Sequence, residues 1–337
     1  VKQYIFNALV PALCLLVIPL PAAAETVPVT VDTFVRAETD RYFKQRFEQG
    51  AFGKFHHERG PVDVDKQLVV RMNRDTPYST GVFDLSQPLT IVKPEIGGRF
   101  QSMLVINEDH YIQRAIYEPG TYTFTQEEMG TRYVQVTFRT LVDPNNPADI
   151  AEMCKAQDAI KVIQASPGKF ETPSWDQESL TNLRKAILTM TPWMPDSRRT
   201  FGRKEETDEV RHFIGTAGGI FGNAEKDALY INEVPKHNDG KTTMRLKVKD
   251  VPVDAFWSIT VYNKDGFYEA PASASSLNSV TAKRDADGSV TVNFGGDATA
   301  ENYLRIMPGW NYIVRLYRPR TEVLDGSWVF PKAEAIR

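Results

Sequence analysis

The sequence predicts a mainly β protein: two β-sandwich or jelly-roll-like units related by internal duplication, joined by a helical connector. Three observations predict it. A motif returns, since Asp75 and Tyr78, followed by Phe100, Ser102, Val105, Asn107 and Asp109, reappear as Asp227 and Tyr230, followed by Phe256, Ser258, Val261, Asn263 and Asp265. Short runs of β-branched and aromatic residues at regular spacing fill two stretches, as sandwiches and barrels require. Between those stretches the apolar residues change to a helical period.

Taken in order, the chain starts with an expected export signal. Lys2 precedes Ala8–Leu20, an apolar run without charge, and Pro21-Ala22-Ala23-Ala24 supplies the small residues a signal peptidase needs, so cleavage is expected after Ala24. The run is shorter than the about 20 apolar residues of a membrane-spanning helix. The mature chain is therefore expected in the periplasm or secreted, with no integral membrane segment. Acidic side chains number 43 against 40 basic, a net charge of −3, which gives neither a nucleic-acid face nor a polybasic membrane patch. Of two cysteines, Cys14 leaves with the signal, so Cys154 cannot form an intramolecular disulfide. It sits near Ile150 and Met153 on a helical face and reads as a buried small hydrophobe.

Residues 25–147 hold an N-terminal helix and the first β unit. Val35, Tyr42, Phe43 and Phe47 mark the helix, over Val31 to Gln49, and Gly50 stops it. The strand candidates are Gln67–Met72, Leu89–Lys93, Phe100–Ile106, Tyr111–Tyr117, Gly120–Phe124 and Tyr133–Leu141. Asp143-Pro144-Asn145-Asn146-Pro147 breaks this pattern. Residues 148–222 form the connector, with apolar stripes at Ile150, Met153, Ile160 and Ile163, at Leu180, Leu183, Ile187 and Met190, and at Val210, Phe213, Ile214 and Ala217. Residues 223–337 return to strand period: Met244, Leu246 and Val248 alternate, and Phe256–Tyr262, Val280–Ala282, Val290–Phe294, Tyr303–Met307 and Trp310–Tyr317 follow. Asp287-Gly288 suits a type I′ hairpin turn. The last strands of the two units also look alike, because Tyr133 to Arg139 and Tyr312 to Arg318 each place an arginine six residues after a tyrosine.

Val35–Phe43, Val70–Thr76 and the strand ending Ile106-Asn107-Glu108-Asp109-His110-Tyr111 resemble the exported bacterial proteins of domain of unknown function 1254. Lys226–Tyr230, Phe256–Tyr262 and Gly309–Pro319 resemble its C-terminal companion, domain of unknown function 1214. The resemblance covers nearly the whole mature chain and implies two β-sandwich units of jelly-roll-like topology joined by helices. It implies no reaction, and no catalytic residue is carried over from it.

Several constellations could carry chemistry. In Asn73-Arg74-Asp75-Thr76-Pro77-Tyr78, Arg74 could grip a carboxylate while Asp75 and Tyr78 act as base and acid. Against this, Asp75 could fix the turn before Pro77 and Tyr78 could simply pack. Asp75 and Tyr78 persist in the second copy, which favours a fold-building role and leaves Asn73 and Arg74 as the better functional candidates. Glu108 and His110 end a strand and have no counterparts, since Lys264 and Gly266 replace them; they read as an acid–base or ligand pair, or as a solvated turn. His56 and His57 are adjacent in an extended segment and point to opposite faces. A metal held by His57, Glu58 and His110 together is disfavoured by the missing His-x-His, and no metal or cofactor is expected. His212, beside Phe213, reads as structural. Gly215–Gly222 lacks the strand and the Gly-Lys-Ser of a phosphate loop, and there is no Gly-x-Ser-x-Gly of an α/β-hydrolase. Trp257, Tyr262, Trp310, Tyr312 and Tyr317 read as core aromatics. Arg315 alternates with apolar residues, and pointing inward it would need a carboxylate or a ligand.

These residues lead to one expectation and two rivals. The protein is expected to bind a small molecule or glycan through Asn73, Arg74, Asp75, Tyr78, Glu108, His110 and Arg315, in a cleft between one β unit and the connector. The rivals are a hydrolase or lyase using Asp75, Tyr78 and His110, and an envelope interaction protein without a pocket. On the leading reading, Arg74→Ala or His110→Ala abolishes ligand binding and leaves the thermal midpoint nearly unchanged; a large drop in midpoint would instead assign them to structure.

Overall fold

The structure, a computed structural model, describes residues 26–67 and 70–336, so the expected export signal and its expected cleavage after Ala24 lie outside the described residues. Helix α1 (Phe34–Glu48) opens the fold and buries Phe34, Ala37 and Phe43 on one face. The first unit follows, with β1 (His56–His57), β2 (Tyr78–Asp84), β3 (Leu89–Lys93), β4 (Gln101–Asn107), β5 (Ile112–Ile116), β6 (Gly120–Phe124), the short helix α2 (Gln126–Met129) and β7 (Tyr133–Thr140). The connector carries α3 (Pro147–Asp158), β8 (Lys161–Ile163), α4 (Gln177–Leu188) and α5 (Glu209–Gly218). The second unit has β9 (Ala228–Glu233), β10 (Met244–Val248), β11 (Trp257–Tyr262), β12 (Ser276–Asn278), β13 (Val290–Phe294), β14 (Tyr303–Leu304), β15 (Asn311–Tyr317), helix α6 (Thr321–Leu324) and β16 (Glu334–Ala335).

The duplication read from the sequence is present in the topology. In the first unit the sheet β1-β2-β7-β4-β5 faces the sheet β6-β3-β8; in the second, β9-β15-β11-β12 faces β14-β13-β10-β16. Each pair of sheets encloses one apolar core, Phe83, Met103, Val136 and Phe138 with Leu89, Ile91 and Phe124 in the first, and Ile259, Val314 and Leu316 with Leu246, Val292 and Phe294 in the second. The order β2-β7-β4-β5 thus recurs as β9-β15-β11-β12, and β6-β3-β8 as β13-β10-β16. Register agrees as well: Arg139 lies opposite Tyr78 and Ser102, and Arg315 lies opposite Tyr230 and Ser258. Arg139 is therefore the counterpart of Arg315. The match of Tyr133…Arg139 with Tyr312…Arg318 is off by three residues, and Arg318 corresponds to Val142.

Several elements differ from the sequence reading: Val280–Ala282, expected as a strand, is a turn after β12, and Tyr303–Met307 holds only the two residues of β14. Among the described residues of 67–72 there is no strand; the first long strand is β2, which begins at Tyr78 within the motif itself. Gly81 at its centre reads as a breaker, yet it is there because of a close approach: a Cβ would lie 2.7 Å from the Lys54 carbonyl oxygen and 2.8 Å from the Phe83 ring. Ile163, taken as part of a helical stripe, belongs to β8, which pairs with β3 along the edge opposite β6. The remaining connector is helical and well capped. Asn146 accepts from the N–H groups of Ala148 and Asp149 with Pro147 at the first turn, and Asp176 and Asp208 cap α4 and α5 in the same way. Helices α1, α4 and α5 pack around Phe34, Ala37, Leu180, Ile187, Ile214 and Ala217, and Phe43 of α1 reaches Val82 and Tyr133 of the first unit.

The two units meet through equivalent residues. Phe100 and Phe256 lie edge to face with ring centroids 5.3 Å apart, and Phe256 stacks on Tyr317 at 4.1 Å. Leu141 and Ala228 complete this cluster. No helix among the described residues is long and apolar enough to cross a membrane. Cys154 is half-buried rather than buried, its Sγ against the Arg59 carbonyl. Because Phe256 is packed on both faces at the junction, Phe256→Ala is expected to cost about 3–5 kcal/mol, read from urea denaturation, with both units unfolding in one transition.

Candidate functional site

The segment before the first long strand of each unit crosses to the other unit. Residues 70–77 lie on the sheet of the second unit. The Arg71 carbonyl accepts from Arg315 Nη2 at 3.0 Å, and the Met72 carbonyl accepts from the Tyr262 hydroxyl at 2.8 Å. Asn73 Nδ2 donates to the Tyr317 oxygen at 2.6 Å, Arg74 donates to the Ala272 carbonyl, and Asp75 Oδ1 accepts from Asn278 Nδ2 at 3.3 Å. The reciprocal segment, residues 221–227, lies on the first unit. There the Phe221 carbonyl and Asn223 Oδ1 accept from Arg139 at 3.0 and 2.9 Å, and Asp227 Oδ1 accepts from the Tyr117 hydroxyl at 2.7 Å.

This geometry gathers Asn73, Arg74, Asp75 and Arg315 into one buried polar seam, with Tyr78 beside it under the Arg139 guanidinium, 5.1 Å from ring to cation. Asp75 is 0% exposed, and burial raises its pKa against the pull of Ser258, Arg315, Asn278 and Arg74. Burial would lower the Arg315 guanidinium, but Tyr262, Tyr317 and Asp75 hold it above its ordinary value. The inward arginine foreseen in the sequence thus has its answer within the chain. Arg74 is 4% exposed and lies 5.4 Å from the Tyr268 ring.

Glu108 and His110 lie apart, at the far end of β4. Asn107 Oδ1 accepts from the N–H groups of Asp109 and Tyr111, as Asn263 Oδ1 does from those of Asp265 and Phe267. The turn is therefore common to both copies. His110 at φ 64° occupies the left-handed position that Gly266 takes at φ 89°. Its imidazole is 1% exposed, and burial next to His212 keeps its pKa well below the usual value. Nε2 accepts from the Phe221 N–H at 2.8 Å, so in the neutral ring Nδ1 carries the proton and donates to Thr216 Oγ1 at 3.0 Å; the Thr216 hydroxyl donates in turn to the His212 carbonyl. Through Phe221 the imidazole positions the same segment that Arg139 holds. His212, read as structural, lies between the carbonyls of Thr200 and Asp109, and its neutral ring donates to one of them.

Glu108 belongs to a cluster that sequence reasoning missed. Its Oε2 accepts from the Tyr133 N–H at 3.0 Å, and it faces Asp40 of α1. Asp40 Oδ2 accepts from Trp175 Nε1 at 2.8 Å, while Oδ1 has no partner among the described residues except the Glu108 carboxyl. Burial pushes Asp40 up to about 7 and raises Glu108, so one proton shared between the two acids satisfies the orphan oxygen. The signal was there: Asp40 sits three residues from both Ala37 and Phe43, on the buried face of the helix. The histidine pair of β1 diverges as expected, His57 Nδ1 meeting Ser79 Oγ at 2.7 Å while His56 is exposed. No group of three or more His, Cys, Asp or Glu placed to hold a metal ion occurs among the described residues.

A cleft of about 370 Å³ opens at the junction of the two β units, lined by Lys93, Phe100, Tyr117, Phe256, Val280 and Arg318. A second cleft of about 250 Å³ occupies the corresponding place in the second unit, lined by Val248, Trp257 and Val290. Register makes Val248 the counterpart of Lys93, since Lys93 lies opposite Gly120 and Val248 opposite Val290. None of the seven residues singled out from the sequence lines either cleft, and both lie along the β units rather than against the connector. Arg99 at the edge of the larger cleft is engaged by Asp149 and the Leu141 carbonyl, and Asp254 by Arg320 at 2.7 Å.

The shared proton gives a pH dependence. An unfolded aspartate titrates near 4 and folded Asp40 near 7. Between these values the folded state holds the extra proton, so this stabilisation is complete below about pH 4 and is lost as pH rises to about 7. Asp40→Asn, which supplies a donor to Glu108 at every pH, is expected to raise the thermal midpoint at pH 8 and flatten its dependence between pH 5 and 8. Arg74→Ala and His110→Ala, each removing a buried partner, are expected to lower the midpoint.

Comparison with known proteins gives the lineage. The crystal structure of the VPA0106 protein from Vibrio parahaemolyticus is similar over 91% of this chain and 100% of its own, at 16% identity and a TM-score of 0.70. A Burkholderia cenocepacia protein described as uncharacterized is similar over 91% of this chain and 88% of its own, at 11% identity and a TM-score of 0.52. At these identities the likeness concerns the fold. No curated protein matches the chain. The profile described as protein of unknown function DUF1254 matches residues 52–164, which span the first β unit and reach β8, and the profile of protein of unknown function DUF1214 matches residues 229–321 in the second. The chain belongs to the family in which a DUF1254 unit is followed by a DUF1214 unit.

Proposed function

We propose that this is an exported binding protein, periplasmic or secreted after cleavage following Ala24, that holds a small molecule in the cleft at the junction of its two β units. The observation that carries the proposal is the cleft's place and lining. It lies where two copies of one fold meet, and Phe100, Tyr117 and Phe256 line it together with a few polar groups. Its volume of about 370 Å³ falls at the lower end of the roughly 300–1,000 Å³ typical of small-molecule sites, which suits a single ring better than a long glycan. Binding without catalysis fits the titratable groups. Asp75 and His110, two of the three groups a hydrolase or lyase would use, are sealed from solvent, and no hydrogen bond among the described residues joins either to Tyr78.

A thermal-shift screen against small metabolites tests the proposal. A ligand at 100 times its Kd is expected to stabilise the protein by about 2.7 kcal/mol. Val280 lines the cleft and is 67% exposed, so Val280→Trp is expected to fill the cleft and remove the shift while leaving the unliganded midpoint unchanged. Equal shifts in Val280→Trp and the parent would place binding elsewhere.

A further inference from the structure

We infer that the ligand of this cleft is a small organic monoanion, a carboxylate on a flat apolar body, with the Lys93 ammonium as its charge partner. This rests on the binding reading above and names the ligand class. Lys93 ends β3 at an inward position, after Leu89 and Ile91, and is 3% exposed. Among the described residues its amine makes no hydrogen bond and no ion pair. The side chain is buried along its stem while its head is left to the solvent of the cleft, and a cation at an inward strand position without a fixed counter-ion is uncommon. Burial lowers its pKa, and the nearest acids, Glu118 and Glu95, act on it only through space. The counterpart in the second unit is Val248, packed in the apolar core, so the position takes a methyl-bearing side chain without disturbing the fold. Both positions line a cleft, and only Lys93 brings a charge to it, a departure from the duplicated pattern.

The rest of the lining specifies the ligand further. Arg318 is the other lining cation without a carboxylate partner; its guanidinium lies over the Tyr117 ring at 4.6 Å. The remaining charges near the cleft are spoken for, Arg99 by Asp149 and Asp254 by Arg320. Glu95 and Glu118 stand exposed at the rim. Their repulsion disfavours a polyanion such as a phosphate dianion, whereas one carboxylate can pass between them to the ammonium. Phe100, Phe256, Leu141 and Val280 then face the apolar body. Lysine suits this arrangement because its ammonium is a compact point charge that does not demand the bidentate geometry of a guanidinium.

The test uses matched probes on the full mature chain: benzoate, benzamide and benzylamine, with phenylacetate, phenylacetamide and phenethylamine as the longer set. Affinity is read by calorimetry, and location by NMR shifts of the cleft residues. Each acid is expected to bind at least tenfold more tightly than its amide, with the amines weakest. Lys93→Met should bring the acids down to the amides and leave the thermal midpoint nearly unchanged, since the counterpart position carries Val248. Amides or amines binding in the cleft as tightly as the acids, or acid affinity unchanged in Lys93→Met, would overturn the anion assignment and leave the binding reading standing. If no probe shifts the cleft residues and the metabolite screen yields no ligand sensitive to Val280→Trp, the binding reading fails and the assignment with it.

Discussion

Two guanidinium groups buried in the middle of two sandwiches decide how this protein is put together. Arg139 and Arg315 stand on the central strands β7 and β15, at equivalent register positions, almost without solvent. A charge in that environment is tolerated only when donors find acceptors. Neither sandwich supplies enough of them from its own strands. Arg315 finds Thr260 and Tyr262 on its own sheet, and the other acceptors arrive from the segment that precedes the first long strand of the other unit: carbonyls of Arg71 and Phe221, the side chain of Asn223, and, for Arg315, the field of Asp75.

This reciprocal crossing makes the two units one folding problem. Pulling them apart would strand both arginines and expose the Phe100–Phe256 contact at the same time. The polar residues that attract attention in the sequence motif are therefore committed to holding the halves together. Asn73 and Asp75 reach across to Tyr317 and Asn278, and Arg74 to Ala272. The His110 ring does the corresponding work on the second crossing segment through the Phe221 N–H. Where both copies need an identical contact, the residues match; where each lines its own cleft, as at Lys93 and Val248, they differ.

Much of this was legible in the sequence, and the reasons for the remainder are physical. The Asp-Tyr and Asn-x-Asp repeats could be read because they are local: a side-chain amide closing its own turn leaves the same letters in both copies. Strand β13 was found to the residue because its alternation is undisturbed and an Asp-Gly turn precedes it. Strand β2 was hidden by Gly81, whose missing Cβ answers to a tertiary neighbour rather than to local preference. Strand β8 is too short to show a period of its own. Arg139 and Arg315 could not be aligned by spacing alone, because the tyrosines that flank them belong to different register positions. Asp40 and Lys93 were passed over for a common reason: each is a charged residue at an inward position of an otherwise regular pattern, and only the coordinates show what it faces.

The short strands β8 and β16 carry a consequence of another kind. Each lies along the edge of β3 or β10 that the antiparallel partner, β6 or β13, leaves open. Each is also made late, after the rest of its own sandwich has been synthesised. Until it arrives, a row of unsatisfied amides and carbonyls stands ready to recruit any extended polypeptide nearby. That interval is when misassembly competes with maturation, and a destabilised connector would lengthen it.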